Sequence, residues 1–182
     1  GVVGFLRRNR WGIALALGPN INMVSGTRLP EGDPFLQRQN EPSMAVSTRN
    51  ACHLLAGAND YRTVDMPGLP DDKVNGDAWL GVFKSFDCGK TWRSTLLPGF
   101  PQDTTGAGMK SPLKGMASGA DPMVRAGTHG LFYYGGIVFN RGSQGASKAF
   151  VARFIDNNAP LLLPAAGPKD GKGSDDSRVD DD

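Results

Sequence analysis

Asp60-Tyr61-Arg62 sets a carboxylate, a phenol and a guanidinium on consecutive residues, just past the apolar run His53–Ala58. Loops carried on rigid strand ends are where ligands are usually gripped, so this trio is a candidate ligand-binding cluster. Adjacent strand residues point to opposite faces, so all three meet one ligand only if the chain turns there; otherwise the segment is a polar loop with a local Asp–Arg ion pair. Arg125, Arg141 and Arg153 are further cations whose planar forks suit carboxylates, or plain solvated positions. Cys52 and Cys88 fit no CxxC or zinc spacing; a disulfide and two free thiols both remain open, the thiols being the blander expectation. His53 and His129 stand apart and read as surface or hydrogen-bonded residues rather than ligands. Gly106–Ser111 lacks the Gly-Lys-Ser/Thr ending of a phosphate loop, and a flexible connecting loop is expected there. The Asp-rich end lacks the alternation of an EF-hand loop, so neither a metal nor a cofactor is expected.

The elements that must position such groups follow from composition. The chain has 182 residues, 25 Gly and 13 Pro. These two types fill about a fifth of it, against roughly 12% in an average protein, and so many cannot sit inside long helices. Only Glu31 and Glu41 are Glu among 18 acidic residues; the rest are Asp, which favours turns over helix interiors. An all-β fold of short strands and turns is expected. Net charge is +2, and no basic run interleaves with aromatics, which argues against nucleic acid as a partner. No apolar run reaches the roughly 18 residues needed to span a bilayer.

Residues 1–34 form a lead. Arg7, Arg8 and Arg10 precede the apolar run Trp11–Leu17, which fits either a secretory-signal remnant or a buried strand with a basic approach. A secreted or periplasmic location is the corresponding expectation. Residues 158–182 read as a disordered Pro/Gly/Asp-rich tail, with too little apolar surface beyond residue 167 to offset ordering entropy.

Between them, residues 35–157 read as a repeat. The first unit comprises Ser43–Val46 after Glu41-Pro42, His53–Ala58, a loop Asp65–Asp77, Ala78–Phe83 and Trp92–Leu97. The second comprises Asp121–Ala126, again acid then proline, then Leu131–Phe139 and Lys148–Phe154. The matched prolines, Pro42 and Pro122, lie 80 residues apart. Long connections inflate a basic unit nearer the ~40–50 residues of a four-stranded propeller blade.

The most specific text is Ser85-Phe-Asp-Cys-Gly-Lys-Thr-Trp92, which fits Ser-x-Asp-x-Gly-x-Thr-Trp throughout. A chance match in a chain this long has odds on the order of 10⁻⁵. It reads as a hairpin corner. Ser85 and Asp87 offer oxygens to bare turn N–H groups, Gly89 takes a positive φ, Thr91 begins the returning strand and Trp92 seals the corner.

This octad resembles the Asp-box of sialidases and other BNR-type β-propellers. The text Asn40–Val46, Leu54–Arg62, Asp77–Trp92 and Asp121–Arg141 is likewise similar to bacterial secreted sialidase-like proteins. The resemblance implies about two four-stranded blades of a propeller, commonly of six blades, with Ser85, Asp87, Gly89, Thr91 and Trp92 structural and on the rim away from the active face. It implies a parent that is a glycoside hydrolase of exo-α-sialidase type, with a glycan or sialoglycoconjugate as partner. That chemistry needs three Arg on the sugar carboxylate, a Tyr nucleophile activated by Glu, and an acid/base Asp. The Phe-Arg-Ile-Pro segment that supplies the first Arg is missing, and one Asp-box is present, so no catalytic position is carried over. A non-catalytic Asp-box propeller that binds glycan or protein is the alternative, and a small self-contained β-sandwich a third. Two units and a lead cannot close a ring, so the chain is expected to be a fragment of a longer protein.

Overall fold

In the computed structural model, the described residues are 4–9, 12–17, 19–24, 26–34, 36–64, 77–142 and 145–155. They form nine strands and almost no helix, as the Gly, Pro and Asp content requires. Strands β1 (Gly4–Asn9) and β2 (Gly12–Leu17) pair as an antiparallel hairpin, so the apolar run before Pro19 is a strand. A four-stranded antiparallel sheet follows in simple order: β3 (Gln39–Val46), β4 (Leu54–Asp60), β5 (Trp79–Ser85) and β6 (Arg93–Leu96). The second sheet comprises β7 (Ser118–Ala126), β8 (Leu131–Phe139) and β9 (Ser147–Ile155), three strands among the described residues where four were expected. The tail from residue 156, and residues 65–76 of the long loop, lie outside the described residues.

Burial differs between the two sheets. Nearly every residue of β4 and β5 is buried, so the middle of the first sheet is covered on both faces, while β3 is largely exposed. In β7 and β8 buried and exposed residues largely alternate, the signature of a sheet covered on one face only. One face of the first sheet packs on the second, around Leu55, Leu80, Val82, Val124, Phe132, Tyr134 and Val138. The other face, Ala56, Ala58 and Phe83, receives Met23, Val24 and Trp92.

Tyr134 is the inter-sheet anchor. Its ring lies where a Cβ on Gly57 would be, 2.7 Å from Cε2, so a side chain at 57 would collide with it. Its hydroxyl donates to the Gly81 carbonyl at 2.9 Å, which satisfies the one polar atom of a fully buried ring. Burial, with the Asp60 charge nearby, pushes that phenol far above its usual pKa.

The acid–proline pairs do not precede their strands, as the sequence suggested, but lie inside them. The β3–β4 register shifts between Asn40 and Ser43, and the β7–β8 register shifts between Ala120 and Met123. Glu41 and Asp121 sit in those breaks with φ of 52° and 57°. A bulge lets the strand run through a proline that donates no ladder hydrogen bond, so β3 starts at Gln39 and β7 at Ser118. Side chains of the first sheet then take N–H groups flanking the second bulge. Asp121 N–H donates to Asn59 Oδ1 and Val124 N–H to Ser43 Oγ, both at 2.9 Å.

The connection between the sheets is ordered rather than the flexible loop expected at Gly106–Ser111. A one-turn helix, α1 (Gly106–Met109), is capped by Thr105, whose hydroxyl accepts the Gly108 N–H at 3.0 Å. Asp103 is buried beneath it and accepts from Gly99 N–H, Thr105 N–H and the Thr105 hydroxyl. The Lys114 ammonium caps three carbonyls, of Phe100, Pro101 and Asp103. The glycines suggested mobility, but a buried carboxylate and an ammonium hold this segment together.

Candidate functional site

The first sheet has two distinct ends. Leu54 pairs with Ser85 at one and Asp60 with Trp79 at the other, roughly 20 Å apart for strands of seven residues.

The Ser85–Trp92 corner occupies the first end. Ser85 Oγ accepts the Gly89 N–H at 2.9 Å and donates to Asp87 Oδ1 at 2.8 Å. Asp87 accepts the Thr91 N–H on one oxygen at 2.9 Å and the Thr91 hydroxyl on the other at 2.6 Å. Gly89 takes φ of 83°, and Trp92 Nε1 donates to its carbonyl at 3.1 Å. The Thr91 hydroxyl and N–H are the main reason the Asp87 carboxyl is held down at about 2. These five residues are hydrogen-bonded to one another through their side chains and turn backbone.

Cys88, in the same corner, forms a disulfide with Cys52 in the β3–β4 turn. The sequence left this pairing open beside two free thiols. Cys88 N–H donates to the Cys52 carbonyl at 3.0 Å, so the two turns lie side by side, a proximity that 36 residues of separation concealed.

The candidate trio lies at the opposite end, and the structure divides it. Asp60 and Arg62 are wholly buried and form a bidentate pair, Nε to Oδ1 at 2.9 Å and Nη2 to Oδ2 at 2.6 Å. Arg62 Nη1 donates to the carbonyls of Pro30 and Glu31, at 2.8 and 3.0 Å, and Ser94 Oγ also donates to Glu31 O. The guanidinium is therefore used up in tying residues 30–31 onto the first sheet. Asp60 and Arg62 are structural, which corrects their place among the ligand-binding candidates. The chain does turn at this point, since Arg62 N–H folds back to Asp60 Oδ1 at 3.0 Å.

Tyr61 is turned away from that pair and is partly exposed. The Arg38 guanidinium stacks over its ring, 4.2 Å from the centroid. Arg141, just beyond β8, is 73% exposed, pairs with Asp77 and lies 5.2 Å over the Phe139 ring. Asp77 also accepts from Ser118 Oγ at 3.0 Å. Burial opposes its ionisation, but bonds from Arg141, the Ala78 N–H and Ser118 hold its carboxyl below the usual range. The Asp77 hydrogen bond and charge raise Arg141, and the Tyr61 phenol is near enough to add to the rise.

Arg38, Tyr61 and Arg141 thus come from the entry to β3, the exit of β4 and the exit of β8. The Arg38 fork on the Tyr61 ring, with Arg141 nearby but already paired to Asp77, can bind a carboxylate or another oxyanion. Arg38 was not singled out from the sequence. Its signal was positional: it lies one residue before the strand that pairs with β4, and Tyr61 N–H accordingly bonds to its carbonyl at 3.2 Å. Arg125 and Arg153 are exposed on the open face of the second sheet, away from this end. Among the described residues, no group of His, Cys, Asp or Glu is placed to hold a metal ion, and no helix is long and apolar enough to cross a membrane.

The sequence matches no protein-family model and no curated protein. Among solved structures, it is similar to a Trypanosoma rangeli sialidase in complex with the inhibitor DANA, with a TM-score of 0.38 and 10% sequence identity. The similarity covers 85% of this chain and 24% of that one, so this chain spans about a quarter of that protein's length. What the described residues define as a class is a nearly all-β protein of two face-packed antiparallel sheets.

Proposed function

We propose that these two sheets are radial blades of a sialidase-like β-propeller and that the strand-end face around Tyr61 binds an acidic glycan. The observation that carries this reading is the Arg38 guanidinium stacked over Tyr61, with Arg141 near enough to feel the phenol, at the end of the sheet opposite the Asp-box corner. A sialic acid offers a carboxylate for the two guanidiniums and a ring and glycerol chain for the Tyr61 and Phe139 surfaces.

Binding of sialyllactose and of lactose by this chain tests the reading. Preference for sialyllactose, lost in Arg38→Ser and Arg141→Ser, supports it; equal binding of both sugars, or of neither, contradicts it. The proposal extends to a longer parent with exo-α-sialidase activity, whose remaining blades supply the nucleophile, its activating Glu and the acid/base Asp. Hydrolysis of a fluorogenic sialoside by such a parent between about pH 4 and pH 8 is the corresponding assay.

The non-catalytic alternative, a propeller that only binds glycan, draws on the Asp60–Arg62 pair. The carboxylate and guanidinium nearest to Tyr61 in sequence are buried and consumed by each other, so neither serves as acid, base or clamp.

A further inference from the structure

Leu36 combines two unfavourable features. It is a bulky residue at φ of 53°, in the left-handed region that a side chain resists. It is also 90% exposed, more than any other large hydrophobic among the described residues. A loose loop would relieve both by turning over, but this one is held. Asp33 is buried and its carboxylate accepts the Gln37 N–H at 2.8 Å, while the Asp33 N–H donates to the Gly26 carbonyl at 3.0 Å. Upstream, the Arg62 guanidinium takes the carbonyls of Pro30 and Glu31. Downstream, the Tyr61 N–H donates to the Arg38 carbonyl. Leu36 is thus fixed between anchors on either side, and with so little of it covered, packing accounts for neither feature. Strain held in this way clusters at ligand clamps.

The position of Leu36 bears on which ligand. It lies two residues before Arg38, so at most ~7 Å of chain separates it from the residue whose fork stacks on Tyr61. From Leu36 to Glu41 the sequence is Leu-Gln-Arg-Gln-Asn-Glu, so Leu36 is the one apolar side chain of that stretch. A carboxylate on Arg38 brings its own nearest substituents beside Leu36. In a sialoside the carboxylate and the glycosidic oxygen share one carbon, so the nearest large substituent is the aglycone.

We propose that Leu36 is a specificity-determining residue of this site and that its side chain covers an apolar aglycone, so that the preferred ligand is an acidic sugar carried on a hydrocarbon group. The proposal rests on the acidic-glycan reading of Arg38, Tyr61 and Arg141 and adds the chemistry of the group beyond the glycosidic oxygen. Methyl and hexyl sialosides, identical except for the aglycone, test it when titrated against the chain and followed by the amide shifts of Arg38 and Tyr61. Covering part of an exposed leucine with hydrocarbon should make the hexyl glycoside bind roughly five- to tenfold more tightly than the methyl one. Leu36→Gly suits the left-handed backbone and so preserves the fold, and it should bring the two sialosides to one affinity; Leu36→Met should keep the preference. Any slackening of the turn in the glycine variant acts on both ligands alike, so the ratio reports the side chain. Hexyl glucoside, which has no carboxylate, should shift neither amide. Equal affinities of the two sialosides in the unaltered chain, or a preference that survives Leu36→Gly, would overturn the role of Leu36 and leave the arginine site standing. Shifts from hexyl glucoside equal to those from hexyl sialoside would also overturn it, as contact with any hydrocarbon. Failure of both sialosides to bind would overturn the site, and the role of Leu36 with it.

Discussion

Glu41 and Asp121, 80 residues apart, take the same left-handed backbone conformation, each at the single break in register of its strand pair. Each is followed by a proline, and the two sheets are built on the same irregularity. Neither residue is glycine, so each carries backbone strain that the fold around it must hold.

Replacing Asp121 by glycine removes that strain and should leave stability unchanged or raise it by up to about 1 kcal/mol. Asp121→Val should cost about 1–2 kcal/mol, since a β-branched residue resists positive φ. Urea unfolding of both variants measures the difference. Equal stabilities would show that the bulge is not held in this conformation.

The inter-sheet contact makes a separate prediction. Gly57→Ala puts a methyl 2.7 Å from the Tyr134 ring, and both sheets flank that ring closely, so the cost should be about 1–3 kcal/mol. Tyr134→Phe keeps the packing and removes only the bond to Gly81 O, and should cost about 1 kcal/mol. Thermal unfolding of the two variants should rank them in that order.

How much of this was legible beforehand depended on whether a signal was local. The Ser85–Trp92 corner is a local device, its side-chain hydrogen bonds all within eight residues, and its text announces it. The strands on either side of it follow from apolar runs and turn residues. The Cys52–Cys88 bond, the Asn59 bridge to Asp121 and the Arg38–Tyr61 stack join residues far apart in the chain, and no spacing rule marks them. The trio Asp60-Tyr61-Arg62 was visible as a cluster. Its division into a buried pair and an exposed phenol depended on the carbonyls of Pro30 and Glu31, some thirty residues earlier.

That division predicts opposite behaviour for two arginines. Arg62→Leu strands the Asp60 carboxylate in the core and should destabilise by about 3–5 kcal/mol. Arg38→Ser, at an exposed site, should change stability by less than about 0.5 kcal/mol yet abolish acidic-sugar binding. Stability and affinity measured on both variants would separate the framework residue from the ligand-facing one.

The Ser85–Trp92 corner should show itself in acid. Asp87 is held at about 2, below its ordinary 3.8, so its contribution is complete above pH 3.8 and is lost as pH falls through about 2. Asp77 and Asp103, both lowered, act in the same direction. Asp87→Asn should flatten the fall in stability across that window while leaving sugar binding at the other end unchanged. Unfolding curves collected through the acid range measure the slope, and an unaltered slope would remove Asp87 from this role.

The account turns on which end of the first sheet meets the ligand. Amide chemical shifts recorded during titration with sialyllactose test that most directly. The account predicts saturable shifts at Arg38, Tyr61 and Arg141, with Ser85 to Trp92 unmoved. Shifts centred on the Ser85–Trp92 corner, or none at Arg38, Tyr61 and Arg141, would contradict it.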